Sequence, residues 1–337
     1  QYFESTFLRC TKVKTLLSED SVDLLSCHVT QTFKVGDKTL DHYSVVDEVK
    51  SGTNFIFSGT GGSGKSVFNR YLWISLLEST DGCIPIYYEL KDINLSKDDR
   101  PDLLELIYYS TINTRSNVSF DQFAKACLRG EFVLLLDGFD EISTDRRQRI
   151  EQQIIALRRD NPKSRLLVTS RPDERFAGWP EFKTASIQPL TQGAVVELIR
   201  RAEFNDKYRN EMLKRLKTGE LFKTHGTFLT NPLLCYLMLV TISSESRIET
   251  TRSLFYEQAF EALFFRHDLR KGGYVRQMHS GLDKNQFKTL FAYFSLRSYL
   301  SDKLDYDDAT MAQHIEKAQN ACGIKAPSSD FVLDCVE

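Results

Sequence analysis

Residues Phe55 to Leu77 read FIFSGTGGSGKSVFNRYLWISLL: a short apolar run, a glycine-rich loop holding a lysine and a serine, then a helix-period pattern. The loop Gly59-Thr60-Gly61-Gly62-Ser63-Gly64-Lys65-Ser66 fits GxxxxGK[ST]. In that pattern successive backbone N–H groups wrap phosphate oxygens, and the helix that follows turns its positive end toward the anion. The glycines let the backbone come close to a ligand, Lys65 reaches the β and γ phosphates, and Ser66 offers a hydroxyl to Mg²⁺. A glycine-rich turn with no ligand is the plain alternative, and the strand before and helix after weigh against it. The loop, with Val67 behind it, therefore predicts a site for a nucleoside triphosphate or its diphosphate product.

From Phe55 to Leu190 short apolar runs alternate with helix-period segments. NFIFSG, IPIYYEL, EFVLLLD, SRLLVTS and FKTASIQPL read as strands. TDRRQRIEQQIIALRRD places Ile150, Ile154 and Leu157 on one helical face, with arginines around the rest. Alternation of this kind predicts βαβ units, hence an α/β fold whose mostly parallel sheet is covered by helices on both faces. Beyond Leu190 the strand signal stops. QGAVVELIRRAEF, DKYRNEMLKRLKTG, NPLLCYLMLVTIS and TRSLFYEQAFEALFFRHDLR all carry helix patterns, and a boundary is expected near Thr191. The glycine-containing piece KGGYVRQMHSG then precedes a last helical section opening with DKNQFKTLFAYFSLRSYL. The expected division is a flanking segment at 1–46, a nucleotide-binding domain at 47–190, an all-α helical domain at 191–280 and a last domain at 281–337.

A chain of 337 residues exceeds the ~250 to 300 at which a single core stops growing, which also argues for more than one domain. A net charge of -2 leaves no basic footprint, so nucleic acid is not expected to bind this module. The seven cysteines are scattered, odd in number and never spaced as CxxC. They argue against a disulfide frame or zinc cluster and for a cytoplasmic, reducing setting. The longest nearly unbroken apolar run, Pro232 to Ile242, is too short to span a bilayer, so no membrane is expected. The start at Gln1, without an initiator Met, reads as an excised part of something longer.

Three further constellations carry chemistry. In EFVLLLDGFDEIS an apolar strand ends in Asp137, where a buried strand can hold a carboxylate beside the phosphate loop to orient a magnesium shell. Asp140 and Glu141 follow Gly138-Phe139, and either of the two is suited to orient or deprotonate an attacking water; taken alone they would be solvated acids before a helix at Thr144. In SRLLVTSRPD, Arg171 stands at the carboxyl end of a strand, where ligands bind in open α/β sheets. It is placed to sense a γ-phosphate, against a solvent-facing arginine in a turn before Pro172. Asn231-Pro232 opens a helix with Asn as cap and Pro at its first position, which is sufficient structural reason for both.

The motifs GTGGSGKS, VLLLDGFDEI, LLVTSRP, TNPLLCYLM and LFYEQAFEALFFRHD, in this order, resemble the NACHT module of the STAND P-loop NTPases, the class of NOD-like receptors and bacterial antiphage NACHT proteins. The likeness is strong from about Asp47 to Asp268, and the DG-x-DE form after the strand is its most specific part. The resemblance implies an ATP or ADP switch with Mg²⁺, in which a P-loop domain, a helical domain and a winged-helix domain open to let the protein self-oligomerise. It implies that Pro232 lies over the base and that Arg171 acts as the sensor. An effector domain, and a sensor for a trigger such as a foreign or phage protein, would lie outside this chain. FVLDCVE would end inside a truncated winged helix, and His314, in the helix-like MAQHIEKA, is a poor match for the histidine that contacts nucleotide in the family.

Other residues invite plainer readings. His225, His267 and His279 lack Cys or His partners at metal spacing and are expected at the surface or in caps. Phe255, Tyr256, Phe260, Phe264 and Phe265 follow helical spacing and suit packing, or else a surface covered on assembly. Arg158-Arg159 and Arg200-Arg201 are expected on solvated faces, unless one serves a neighbour in trans. Three functions stay open. A regulatory switch with slow turnover fits the motif set. A motor-type NTPase would require fast turnover, against which the separation of Asp137 from Asp140 and Glu141 speaks. A binding module with inert nucleotide is the third.

Overall fold

The computed structural model describes residues 2–18, 20–79, 84–96, 98, 100–112, 118–244, 254–261, 278–301, 306 and 308–336. The chain forms two compact units, Gln1–Leu263 and Phe264–Glu337.

The first unit is built on a sheet. The runs expected as strands become β5 (Phe55–Ser58), β6 (Ile84–Glu89), β7 (Phe132–Asp137), β8 (Arg165–Ser170) and β9 (Lys183–Ile187). They are parallel to one another in the order β9-β5-β8-β7-β6. Crossovers run through α4 (Lys65–Leu77), α5 (Leu103–Thr111), α6 (Phe120–Leu128) and α7 (Thr144–Asp160). A parallel sheet is covered on both faces, and the side chains alternate accordingly. Ile56, Ile86, Leu134, Leu136, Leu166 and Val168 face α5, α6 and α7, where Ile150 and Ile154 of α7 meet them. Phe55, Phe57, Tyr87, Val133, Leu135 and Leu167 face α4 with Phe68, Leu72 and Trp73. Asp137 and Thr169 continue the second of these sets by the same period of two.

Residues 1–46, set apart in the sequence as a flanking segment, add to this sheet and its cover. β3 (Thr32–Val35) and β4 (Lys38–Asp41) form a hairpin across a two-residue turn in which Gly36 takes φ +57. β3 then pairs antiparallel with β9, giving the seven-stranded order β4-β3-β9-β5-β8-β7-β6. Helix α1 (Tyr2–Thr11) packs along α4, and Cys10 enters the core beneath it. α3 (His42–Lys50) seats Val45, Val46 and Val49 in the same core. A two-residue ladder of β1 (Lys12–Val13) with β2 (Val22–Asp23) and the short α2 (Leu24–Cys27) complete the segment.

After β9 the first unit is helical. α8 (Gln192–Arg201), α9 (Asp206–Lys217), α10 (Glu220–Leu229), α11 (Pro232–Ser244) and a segment at 254–261, here α12, bury Val195, Ile199, Met212, Leu239 and Phe255 together with Leu17 and Val29 of the N-terminal segment. The periodicity does not announce α10, because GELFKTHGTFLT holds weak helix formers and kinks at His225, where φ is -129°. His225 is not a surface residue: it is buried against Phe228 and Phe255. Tyr256 is half exposed beside the buried Phe255, whereas Phe264, Phe265 and His267 lie outside the described residues, as does most of KGGYVRQMHSG. Arg158 is only partly on a solvated face, since it donates to the carbonyls of Asn161, Pro162 and Ser164 and closes the end of α7. Arg201 ties α8 to the N-terminal segment by donating to the His28 carbonyl at 2.7 Å.

The described part of the second unit is helical, with α13 (Lys284–Leu300), α14 (Asp308–Cys322) and α15 (Ser328–Val336). Asp283 and Gln286 form a capping box on α13, and Phe287 packs on Phe331 with ring centres 5.5 Å apart. Asp334 accepts from the backbone N–H groups of His279 and Ser280, and His279 itself is exposed. His314 sits within α14 against Tyr306. Among the described residues no helix is long and apolar enough to cross a membrane.

Candidate functional site

β5 ends at Ser58 and α4 begins at Lys65, so the glycine-rich loop is the connection at the carboxyl edge of the sheet. Its carbonyls are taken from outside. Asn231 donates its side-chain amide to the Gly61 oxygen at 3.0 Å, the Leu233 N–H to the Gly62 oxygen at 3.3 Å, and Gln31 its amide to the Ser63 oxygen at 3.3 Å. No protein acceptor meets the backbone N–H groups of Gly61, Gly62, Gly64, Lys65 and Ser66 among the described residues. Such a row of donors at a helix start is an anion site by construction. Two glycines are required by backbone angle, and Gly62 by space as well. Gly62 has φ +74, and a Cβ there would fall 2.6 Å from that of Leu233; Gly64 has φ +95, and a Cβ would fall 2.4 Å from the Gln31 amide nitrogen.

The Lys65 ammonium donates to the Gly59 oxygen at 2.7 Å and the Thr60 oxygen at 3.1 Å, which holds it across the loop. Burial lowers its pKa, opposed by Asp140. Asp137, at the end of β7, is 6% exposed; one of its oxygens accepts from Thr169 and the other from the Tyr87 hydroxyl at 2.8 Å. Thr169 in turn accepts from the Gly138 N–H at 2.8 Å. Among the described residues Asp137 makes no direct ion pair, and Lys65 and Arg70 are the cations that feel its charge. The Ser66 hydroxyl and the Asp137 carboxylate are hard oxygen donors of the kind Mg²⁺ takes.

Gly138, with φ +82, turns the chain so that Asp140 and Glu141 follow on a short 3-10 turn. Asp140 is committed to Arg171: one oxygen accepts from the Arg171 N–H at 3.0 Å and the other lies 3.1 Å from its Nε. That contact leaves the two Nη groups of Arg171 for an anion. Glu141 is exposed as a whole residue, yet burial of its carboxyl, with Asp137 and Asp140 nearby, raises its pKa. Arg147 donates to the carbonyls of Asp140 and Ile142 and fixes the turn from below.

A cavity of about 660 Å³ joins these pieces. Gly61, Gly62, Gly64, Lys65, Ser66, Val67, Asp140, Glu141, Arg171 and Pro232 all line it, whereas Gly59, Thr60, Ser63 and Asp137 do not. Its size suits a nucleotide. The wall that sequence reasoning missed comes from the N-terminal segment, with Leu16, His28, Val29 and Gln31, and from Leu198, Leu233 and Tyr236 of the helical part. Leu16, Val29, Leu198, Leu233 and Tyr236, with Val67 and Pro232, give the cavity an apolar lining suited to a base. No spacing rule marks Leu16 or Val29; only the fold brings them there.

Glu89 at the end of β6 lies in register with Asp137. Burial pushes its pKa up, but hydrogen bonds from Arg9 and Lys91 outweigh burial and bring it down to about 2. A carboxyl depressed on folding contributes stability above its ordinary value of 4.5 and loses it as pH falls toward about 2. The difference in urea midpoint between wild type and Glu89→Gln is therefore expected to shrink between those pH values. A difference that stays constant would show that Glu89 acts by shape and not by charge.

The NACHT domain family matches residues 54–207. No curated protein matches the chain. Among solved structures, Cdc6p from Pyrobaculum aerophilum is similar at 14% identity with TM-score 0.40, covering 87% of this chain and 83% of that one. AMPPCP-bound DnaA from Aquifex aeolicus is similar at 16% identity with TM-score 0.38, covering 87% and 91%, and Drosophila ORC bound to DNA at 13% with TM-score 0.37, covering 88% and 75%. Residues 54–207 match the NACHT domain family, and the phosphate loop and strand-end carboxylate within them, beside a cavity of nucleotide size, are those of a nucleotide-binding module of the P-loop NTPases.

Proposed function

We propose that the module is a regulatory switch: it holds ATP or ADP with Mg²⁺, hydrolyses ATP slowly, and uses the state of the nucleotide to control opening and self-association in innate or antiphage defence. The observation that carries this is the shared phosphate loop. The start of α11 donates to the Gly61 and Gly62 carbonyls whose neighbouring N–H groups face the cavity, and Pro232, Leu233 and Tyr236 of the same helix line it. Whatever the loop binds is in contact with the helical part. A ligand moves a two-state equilibrium only by its differential affinity, about 5.5 kcal/mol for a swing from 1:99 to 99:1. A γ-phosphate meeting Lys65 and Arg171 through charge-assisted hydrogen bonds is of the kind to supply much of it.

Ser66 would hold the metal directly and Asp137 would order its water shell; bound there, Mg²⁺ neutralises phosphate charge. Lys65 binds the β and γ phosphates, and Pro232 with the N-terminal wall holds the base. Glu141 takes the role of orienting or deprotonating water, because both oxygens of Asp140 are already used on Arg171. Effector and trigger-sensing parts belong to the resemblance and lie outside these residues.

Purified protein is expected to release stoichiometric ADP on denaturation, identified by chromatography. A site without nucleotide that turns ATP over at the ordinary enzymatic rate of ~1 to 1000 per second would favour a motor-type NTPase instead.

A further inference from the structure

A second set of side chains reaches Asp137 from the side away from the cavity. Arg9 of α1 places Nη2 2.7 Å from Glu89 Oε2 and donates from Nε to Oε1 at 3.1 Å. Arg70 of α4 lies 3.5 Å from the same Oε1, and its Nε donates to the Tyr87 hydroxyl at 3.5 Å. The two guanidinium carbons stand 5.6 and 5.9 Å from the centre of the Tyr87 ring. Tyr87 is 3% exposed, and its hydroxyl donates to Asp137. Strand parity explains the meeting: Tyr87 and Glu89 on β6 and Asp137 on β7 all point to the α4 face.

The geometry points to Tyr87 as a positioning residue for Asp137, through which the seating of α1 by Arg9 and Glu89 is coupled to metal-dependent nucleotide binding. This rests on the proposed role of Asp137 at the magnesium shell. The Asp137 carboxylate is gripped by two neutral hydroxyls, Thr169 on one oxygen and Tyr87 on the other. Two such bonds set the plane of the carboxylate and leave its remaining lone pairs toward the phosphate loop. Without the phenol oxygen one grip is lost and the plane turns about the side chain. Partners that orient a metal-shell group in this way are worth about 10- to 100-fold in metal affinity. The phenol is in turn held by Arg70 and framed by Arg9, so release of Arg9 loosens the same carboxylate at one remove.

The test measures binding of a fluorescent, non-hydrolysable ATP analogue to the full chain in EDTA and in excess Mg²⁺. Wild type should bind more tightly with the metal. Tyr87→Phe should lose about tenfold of that gain while its affinity in EDTA stays within about twofold, because the phosphate loop is untouched. Arg9→Gln, a change at a partly exposed side chain, should lose a smaller part of the gain in the same direction. A Tyr87→Phe ratio equal to wild type, or an equal loss in both conditions, overturns the positioning role. A normal ratio in Arg9→Gln beside a reduced one in Tyr87→Phe overturns the coupling to α1. Wild type that binds nucleotide with no metal gain overturns the underlying view of Asp137, which separates that failure from the other two.

Discussion

Lys65→Ala is expected to weaken nucleotide binding by roughly a hundredfold or more, with the fold retained. The lysine ends at the mouth of a loop whose N–H donors are already arranged, and it adds a full positive charge to them. Its burial is costly, as the lowered pKa shows, and that cost is offset in part by the Gly59 and Thr60 carbonyls and by Asp140, Asp137 and Glu141 nearby. A triphosphate gives the ammonium a better partner than two neutral carbonyls do. Truncating one member of a buried charge pair costs about 2 to 5 kcal/mol, and about 2.7 kcal/mol already corresponds to a hundredfold in Kd. In the free protein the same substitution removes two hydrogen bonds at a partly exposed loop, a change of about 1 kcal/mol or less each. Titration of a labelled ADP analogue, beside a thermal melt without nucleotide, separates the two effects. A Lys65→Ala variant that binds like wild type would mean the loop holds its ligand by backbone alone. A melt lowered as much as the affinity would mean the lysine is structural.

The sheet was readable in the sequence because its strands are buried on both faces. FIFS, FVLLLD and RLLVTS are continuous apolar runs ending in Ser58, Asp137 and Ser170, and each meets a turn signal. The phosphate loop, Asp137 and Arg171 could be placed at one edge of the sheet for a related reason, since each stands at the end of such a run, whereas the place of Pro232 beside the cavity came only from the family resemblance. The hairpin β3–β4 was not. TFKV and KTLD are short and half exposed, and what stabilises them is pairing with β9, far along the sequence. The same holds for the wall of the cavity. Leu16 and Val29 look like scattered apolar residues in a polar stretch, and they become a cavity wall only when Leu17 and Val29 pack with α8 and α11. Tyr87 could be assigned its face by the alternation of IPIYYE, but its partner on β7 depends on strand order, which no local pattern states. For His225 the error ran the other way: absence of a metal-spaced partner says nothing about burial, and an imidazole ring packs well beside two phenyl rings.

Asp140 and Glu141 were equivalent in the sequence, and the structure gives them different surroundings. Both oxygens of Asp140 are engaged by Arg171, so its loss should chiefly release that arginine. Glu141 has no ion pair with a cation among the described residues within direct reach, and burial with two neighbouring acids raises its pKa toward the range where a carboxylate takes protons effectively. Glu141→Gln is therefore expected to lower the rate of ATP hydrolysis by about 10²- to 10⁴-fold while leaving ATP affinity within a few fold. Asp140→Asn should act differently: a smaller loss of rate, with weaker discrimination of ATP from ADP, since a freed Arg171 no longer meets the γ-phosphate in a fixed geometry. The pH dependence follows from the sign of the shift. A base works only when unprotonated, and a raised pKa moves the acid limb of the hydrolysis profile above the ordinary carboxylate range, so activity should fall earlier on acidification than for an exposed Glu. That limb should be absent from the residual activity of Glu141→Gln. Single-turnover hydrolysis of bound ATP, measured across pH for wild type and both variants, reads the rates and the acid limb, and titration with labelled ATP and ADP analogues reads affinity and discrimination. A Glu141→Gln variant that hydrolyses at the wild-type rate would remove Glu141 from the chemistry. It would leave a module that binds nucleotide and signals through binding alone.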